Sequence, residues 1–306
     1  MQKLFKAEIN NWKDWANVFQ SITAFEPLIK YIFKEEGLPF QPLENLTPGT
    51  NAVFKVGLYV VKVFAPKESG IDMTPDFHTE LFSMNFALSK NINLPIVVAN
   101  GCVKDKFDFY YIITKHINAI QFSVAEPLLN DREKFNIAKE LRLITSKINI
   151  PCERFNNVDV VERALKCERY MKFPISFQNE RYKYLKNYKN KNYVFVHGDL
   201  NPDNILVDKQ NNLHIIDFAD SLSAPYEYEL VVLVCCLFCF EKPYLDGYLG
   251  NYNIDELTDK CLTGILLHYY GYNIICSNFG KVSEITSIDV LRSKIYLSIK
   301  NNKGMI

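Results

Sequence analysis

Two carboxylates and an amide stand in this chain at a spacing that can do chemistry. Asp199 and Asn204 lie within His197-Gly198-Asp199-Leu200-Asn201-Pro202-Asp203-Asn204. Asp217 follows Asn204 by thirteen residues, closing the apolar run Leu213-His214-Ile215-Ile216. Transfer of a γ-phosphoryl group needs a carboxylate beside the attacking hydroxyl and hard oxygen ligands that hold Mg²⁺ against the phosphates. Asp199 suits the first task, and Asn204 and Asp217 suit the second. A polar turn between two buried strands would also use Pro202 and the Asn and Asp residues. Such a turn does not require four polar positions at this spacing.

The elements that must position these residues follow from periodicity. Asn10–Glu36 reads as one helix, with Trp12, Trp15, Val18, Phe19, Ile22, Phe25 and Ile29 at helical spacing and Gly37 as its stop. Strands follow at Phe40–Leu46, Ala52–Val56 and Leu58–Phe64, separated by Pro48-Gly49 and Gly57. A helix spans Pro75–Lys90, and strands Ile96–Val103 and Phe107–Thr114 flank Lys104-Asp105-Lys106. After His116 the pattern becomes helical, over Arg132–Ile148, Asn157–Tyr170 and Ile175–Asn190. A strand pair at Tyr193–Val207 and Leu213–Phe218 brackets the polar loop. Helical periodicity resumes at Tyr226 and runs to the C-terminus. Strands first and helices later predict an α+β chain with a small β-rich N-terminal lobe, residues 1–115, and a larger α-helical C-terminal lobe, residues 116–306. Ligands commonly bind between such lobes.

Phosphoryl transfer needs a nucleotide, and the N-terminal half carries candidates to hold it. Lys62 sits centrally in Tyr59-Val60-Val61-Lys62-Val63-Phe64, where a half-buried strand does not normally place an ammonium. An edge strand with Lys in solvent is the plain alternative. Glu80 counts against it, because it falls at the margin of the helical stripe Phe77, Leu81, Met84 and Leu88. A buried carboxylate needs a partner, and Lys62 can supply it. In the turn Thr47-Pro48-Gly49-Thr50-Asn51, Gly49 lets the backbone approach phosphates, and Thr50 and Asn51 can donate hydrogen bonds. An ordinary hairpin explains that turn equally well. Backbone groups of Tyr110–Ile117, at Thr114 and His116, are placed by chain order to meet an adenine edge.

Together these segments resemble the aminoglycoside phosphotransferase and choline kinase-type family of small-molecule kinases, which have a protein-kinase-like, two-lobed fold. The loop His197–Leu206 carries the resemblance, as does Pro225-Tyr226-Glu227-Tyr228-Glu229-Leu230 after the second carboxylate. Gly198 stands where protein kinases usually carry Arg, and no Ala-Pro-Glu segment follows Asp217. The resemblance spans residues 40–245. It implies a phosphotransferase that moves the γ-phosphate of ATP or GTP to a hydroxyl of a small molecule. Asp199 would be the base and His197 a brace for the loop. Asn204 and Asp217 would hold Mg²⁺, Lys62 would contact phosphate and Glu80 would orient it. In Phe218-Ala219-Asp220, where protein kinases have Phe-Gly, Ala219 limits backbone freedom, and Asp220 reads as a further ligand or, in preference, a surface cap. Residues 246–306 match nothing in the family pattern.

Composition narrows the alternatives. An apolar content of 48% with 14% aromatics excludes a disordered chain. With 35 basic and 35 acidic residues the formal charge is zero, so no global field recommends nucleic acid or an anionic membrane. The longest strongly apolar block, Leu230–Phe240, falls short of the roughly 20 residues a membrane span needs. Met1–Asn10 has no signal or transit character, so the expected location is cytoplasmic and the eight cysteines are expected as reduced thiols. Cys235, Cys236 and Cys239 lack nearby ligand partners and read as helix core rather than a metal site. Arg163–Lys191 holds nine Lys or Arg against two Glu, interleaved with tyrosines, and reads as solvated helix faces rather than a nucleic-acid surface. Glu227, Glu229, Glu241, Asp246, Asp255, Glu256 and Asp259 could meet a cationic acceptor, or simply support helix N-termini. Antibiotic, amino alcohol, sugar and hydroxylated amino acid stay open as acceptors, as do ATP against GTP and monomer against dimer. A protein kinase-like enzyme and a nucleotide-binding regulator without transfer activity are the competing readings.

Overall fold

The computed structural model describes residues 3–47, 49–190 and 192–301. Pro48 of the expected turn, Lys191 of the basic stretch, Met1, Gln2 and residues 302–306 lie outside the described residues. The chain forms two units, Met1–Phe82 with Leu94–Asn118, and Ser83–Asn93 with Ala119–Ile306.

The first unit is built on an antiparallel sheet of β1 (Leu43–Asn45), β2 (Ala52–Val56), β3 (Tyr59–Val63), β4 (Val97–Lys104) and β5 (Asp108–Lys115), in the order β1-β2-β3-β5-β4. Alternation sorts each strand by face. Ala52, Phe54 and Val56 of β2 are buried, as are Val61 and Val63 of β3, while Lys62 takes the opposite face. The covered face packs against two helices, α1 (Trp12–Val18) and α2 (Ile22–Glu35), through Trp15, Phe25, Ile29 and Phe33.

Two helices therefore stand where the apolar spacing predicted one. The helix breaks after Val18 because Ser21 turns its hydroxyl to the N–H of Ala24 and starts a second N-terminus. The spacing survives the break because both helices face the same core. Gly37 ends α2 as expected: at φ +65° it lets its own N–H reach Lys34 and that of Leu38 reach Phe33. A further helix, α3 (Thr74–Ser89), runs from the first unit into the second. Its buried positions are Phe77, Thr79, Glu80, Ser83, Met84 and Ala87, whereas Leu88, expected in the apolar stripe, is 49% exposed.

The second unit is mainly helical. Strand β6 (Ala119–Gln121) pairs with β8 (Ile205–Asp208), which pairs with β9 (Leu213–Ile215), and β7 (Tyr193–Val196) pairs with β10 (Leu222–Pro225). Strands β6 and β10, three and four residues long, were not expected, being too short for alternation to register. Helices α4 (Phe122–Ala125), α5 (Asp131–Ile148), α6 (Val160–Leu165) and α7 (Ile175–Lys186) precede the polar loop. After it come α8 (Glu227–Val232), α9 (Lys242–Leu249), α10 (Ile254–Leu267), α11 (Gly271–Asn278) and α12 (Ile288–Lys300). The helical run expected from Tyr226 onward is interrupted: α8 continues into a π-helical turn at Leu233–Leu237, and Cys239 and Phe240 adopt φ of +47° and +63°. Among the described residues no helix is long and apolar enough to cross a membrane.

Candidate active site

Strand β7 delivers the chain into the loop at His197, whose ring is fully buried and committed to backbone. Its Nδ1 accepts the N–H of Asp199 at 3.3 Å, which leaves Nε2–H to donate to the carbonyl of Ile216 at 3.0 Å. His197 thus ties Asp199 to the residue before Asp217. A second tie runs beside it, from the N–H of Ile216 to the carbonyl of Asn204, 3.0 Å.

The side-chain amide of Asn204 donates to the carbonyl of Asp199 at 2.8 Å and to its carboxylate at 3.1 Å. With the nitrogen turned to Asp199, Asn204 Oδ1 remains as a hard oxygen donor. Asp217 adopts φ +61° and ψ +68°, a left-handed conformation that Asp tolerates better than most residues and that clusters at functional sites. Its carboxylate is near enough to act on Asp199. Burial first, then the charge of Asp220, then that of Asp217 push Asp199 up to about 7. Asp220 accordingly faces the acidic cluster, accepting from the Tyr270 hydroxyl at 3.4 Å, and is not the surface cap that the sequence suggested.

The donor chemistry of Asn204 and Asp217 fits Mg²⁺, which prefers oxygen and takes one or two protein ligands when phosphates and water complete its shell. Among the described residues no group of three or more His, Cys, Asp or Glu is poised to hold a metal, so a soft-ligand or all-protein metal cage has no support here.

Two further residues hold the loop, and sequence reasoning gave neither this role. Gly198 has φ +85°, and a Cβ there would lie 2.3 Å from the carbonyl oxygen of Asp220, so only glycine fits. Its N–H donates to Glu229 Oε2 at 3.2 Å, and its carbonyl accepts from His268 Nε2 at 3.1 Å. Glu229, on α8, is among the acids that the sequence offers to a cationic acceptor or a helix start. It is instead fully buried beneath the loop, and burial pushes it up to about 7 against the loop N–H groups that favour its charged form. His268 follows α10, buried and stacked on Tyr228 with ring centroids 4.0 Å apart. Its Nδ1 accepts the N–H of Tyr270 at 3.0 Å. Burial, then the nearby charge of Arg163, holds it down to about 3, so it stays neutral and donates from Nε2. The one signal available in the sequence was a histidine closing the apolar run Ile265-Leu266-Leu267.

In the first unit Lys62 meets Glu80 at 2.6 Å, with side chains only 14% and 7% exposed. The ammonium also lies 5.2 Å from the ring centroid of Phe64. Gly49 is exposed, with open space around its Cα, and the carbonyl of Thr50 accepts from Trp15 Nε1 at 2.9 Å. Asn51 is buried, its Oδ1 accepting the N–H of Ala65 at 3.3 Å. Thr114 sits between sheet partners Val60 and Val97, and the N–H of His116 donates to Leu58 at 2.9 Å. The structure therefore groups Lys62 with Glu80 in one unit, and Asp199 with Asn204 and Asp217 in the other. All eight cysteines are free; Cys235 is core, but Cys236 and Cys239 are only partly buried.

Comparison with known proteins agrees with the loop. Residues 161–260 match the model of the phosphotransferase enzyme family, APH. No curated protein sequence matches the chain. Among solved structures, the GDP complex of wild-type aminoglycoside 2'-phosphotransferase-IIIa is similar with a TM-score of 0.59 at 18% identity, over 93% of this chain and 100% of that one. Choline kinase LicA from Streptococcus pneumoniae gives a TM-score of 0.56 at 14% identity, covering 90% and 99%. The streptomycin–ATP complex of APH(2")-IIa gives 0.55 at 15%, covering 86% and 97%. At such identities the likeness is one of fold, and the fold is the protein-kinase-like one that the sequence led us to expect.

Proposed function

We propose that this chain, similar to the aminoglycoside phosphotransferases and choline kinases in fold and matched by the APH family model over residues 161–260, is a Mg²⁺-dependent kinase. It transfers the γ-phosphate of ATP or GTP to a hydroxyl of a small molecule. One observation carries the reading: the Asn204 amide donates to Asp199, which turns Oδ1, a metal-competent oxygen, away from the carboxylate that would receive the acceptor's proton.

Asp199 aligns the acceptor hydroxyl and takes its proton. His197 holds the Asp199 N–H and the Ile216 carbonyl, so the base and Asp217 keep a fixed spacing. Asn204 and Asp217 would hold Mg²⁺, which supplies neutralisation of phosphate charge when bound. Lys62, oriented by Glu80, contacts nucleotide phosphate. Gly49, Thr50 and Asn51 lie in the turn assigned to the phosphates; Thr114 lies in β5 and His116 just after it, in the segment assigned to the nucleotide base. Neighbouring structures hold ATP in one case and GDP in another, so both purine nucleotides are kept as donors. Positioning and charge stabilisation do most of the work in such a reaction.

The test is nucleotide binding and nucleoside diphosphate release with Mg²⁺ in wild type, Asp199→Ala and Asp217→Ala. Asp199→Ala should keep nucleotide affinity but lose turnover by roughly 10³-fold or more. Asp217→Ala should weaken Mg-nucleotide binding as well. Equal turnover in wild type and Asp199→Ala would remove the assignment.

A further inference from the structure

Arg163, on α6, is half-buried, and the acids beside it in sequence are engaged elsewhere, Asp159 with Arg154 at 3.5 Å and Glu162 with Lys166 at 2.6 Å. Its guanidinium donates to the Tyr228 hydroxyl and lies 5.8 Å and 5.2 Å from the ring centroids of Tyr228 and Tyr269. Resting on the phosphotransferase reading above, we infer that Arg163 is a positioning residue for the transfer. Acting through the rings of Tyr228 and His268, it fixes the peptide between Gly198 and Asp199.

That peptide is held at both ends. Its N–H, from Asp199, donates to His197 Nδ1 at 3.3 Å, and its carbonyl, from Gly198, accepts from His268 Nε2 at 3.1 Å. The direction of the second bond depends on the plane of the His268 ring. The last torsion of a histidine side chain has broad minima, so contacts must set that plane. Two do so. Tyr228 lies against the ring face, with centroids 4.0 Å apart and 28° between planes, and the N–H of Tyr270 donates to Nδ1 at 3.0 Å.

Tyr228 is subject to the same freedom, and its hydroxyl removes it. That oxygen accepts from Arg163 and, at 3.2 Å, from the N–H of Tyr269. One donor comes from α6 and the other from the segment that carries His268, so both edges of the stack are pinned. Burial, and then the charge of Arg163, also keep a second proton off His268. Nδ1 must stay bare to accept the Tyr270 N–H.

The backbone around His268 has separate supports. Buried Arg181 donates to the carbonyl of Leu266 at 2.9 Å and to that of Ala164 at 2.9 Å, and the Tyr170 hydroxyl donates to Ile265 at 2.6 Å. Losing Arg163 therefore leaves the ends of α6 and α10 tied and frees the rings. A surface arginine that merely covers tyrosine faces would act on stability alone.

The experiment compares wild type with Arg163→Met, Arg163→Lys, Tyr228→Phe, His268→Ala and the double variant Arg163→Met/His268→Ala. It scores nucleoside diphosphate release from ATP and GTP with Mg²⁺, offering glucose, choline, kanamycin and water as acceptors. Calorimetric nucleotide affinity, melting temperature and the NMR signals of the His268 ring and the Gly198 and Asp199 amides accompany it. Arg163→Met and Tyr228→Phe should each lower kcat about tenfold or more at unchanged nucleotide affinity and shift those signals. Arg163→Lys should recover most of the loss, and the double variant should fall no lower than His268→Ala. Unchanged kcat, losses that add to that of His268→Ala, or wild-type signals in Arg163→Met overturn the positioning role and leave the kinase reading standing. Wild type that releases no diphosphate to any of these acceptors overturns both.

Discussion

His268 Nε2 donates to the carbonyl oxygen of Gly198 at 3.1 Å across seventy positions of chain. A histidine from the C-terminal segment thereby fixes the peptide that leads into Asp199. Together with Glu229 on the N–H side, it clamps one glycine from both directions, so the aim of the Asp199 carboxylate depends on residues that never meet the phosphate.

Removing that donor should misplace the base. His268→Ala is expected to lower kcat about 10²-fold with nucleotide KM unchanged, the size of effect that a displacement near 1 Å produces. His268→Gln, which can return an N–H near the Nε2 position, should recover most of it. Steady-state kinetics check this, and equal losses in both variants would show that the hydrogen bond is not the cause.

Glu229 predicts a pH dependence of stability. Its ordinary value is 4.5, and burial raises it to about 7 in the folded chain. Below pH 4.5 both states hold the proton and nothing is lost. Between those values the folded state keeps a proton that the unfolded state releases, so stability falls as pH rises. Above about 7 the loss is complete, about 3 kcal/mol. Asp199 faces Glu229 and is raised to about 7 as well, so it adds to the slope with the same sign. Glu229→Gln should keep the shape and remove one of the two contributions. Melting temperatures of the two proteins should lie close together near pH 5 and separate towards pH 8, with Glu229→Gln losing less, and parallel curves would contradict the prediction.

The Lys62–Glu80 pair should behave as one unit. Lys62→Ala or Glu80→Ala is expected to raise nucleotide KM about tenfold or more, and the double variant should cost little beyond either single one. Each single change removes one partner from a mostly buried charge, so a loss of stability in chemical denaturation should accompany it. Additive effects on KM would mean that Glu80 does not act through Lys62.

Gly198→Ala tests the loop's backbone. A side chain at φ +85° whose Cβ meets the Asp220 carbonyl at 2.3 Å must move the backbone. The expected cost is above about 2 kcal/mol, with transfer activity reduced at least as far as in His268→Ala. A variant of unchanged melting temperature and activity would show that the loop adapts freely.

Some of this protein could be read without coordinates, because local rules decide it. Alternation set β2 and β3 close to their observed bounds and put Lys62 on the face opposite Val61 and Val63. Helical spacing turned Glu80 toward the core margin, where a carboxylate must find a cation. The loop could be recognised because every polar group in it lies within a short stretch and obeys one spacing. The break between α1 and α2 was hidden, since helical periodicity continues across a cap whenever both helices face one core.

What tertiary structure alone decided is the choice of partners. In the sequence Glu229 reads as an acid that meets a cation or supports a helix start, and burial beneath Gly198 makes it an anchor. Asp220 looked like a surface cap and came to face Asp199. His268 was unremarked until the chain placed it 3.1 Å from a carbonyl seventy residues away. Periodicity records which side of an element faces inward. It carries no information on which buried polar group lies across the gap, because that depends on packing between segments distant in the chain.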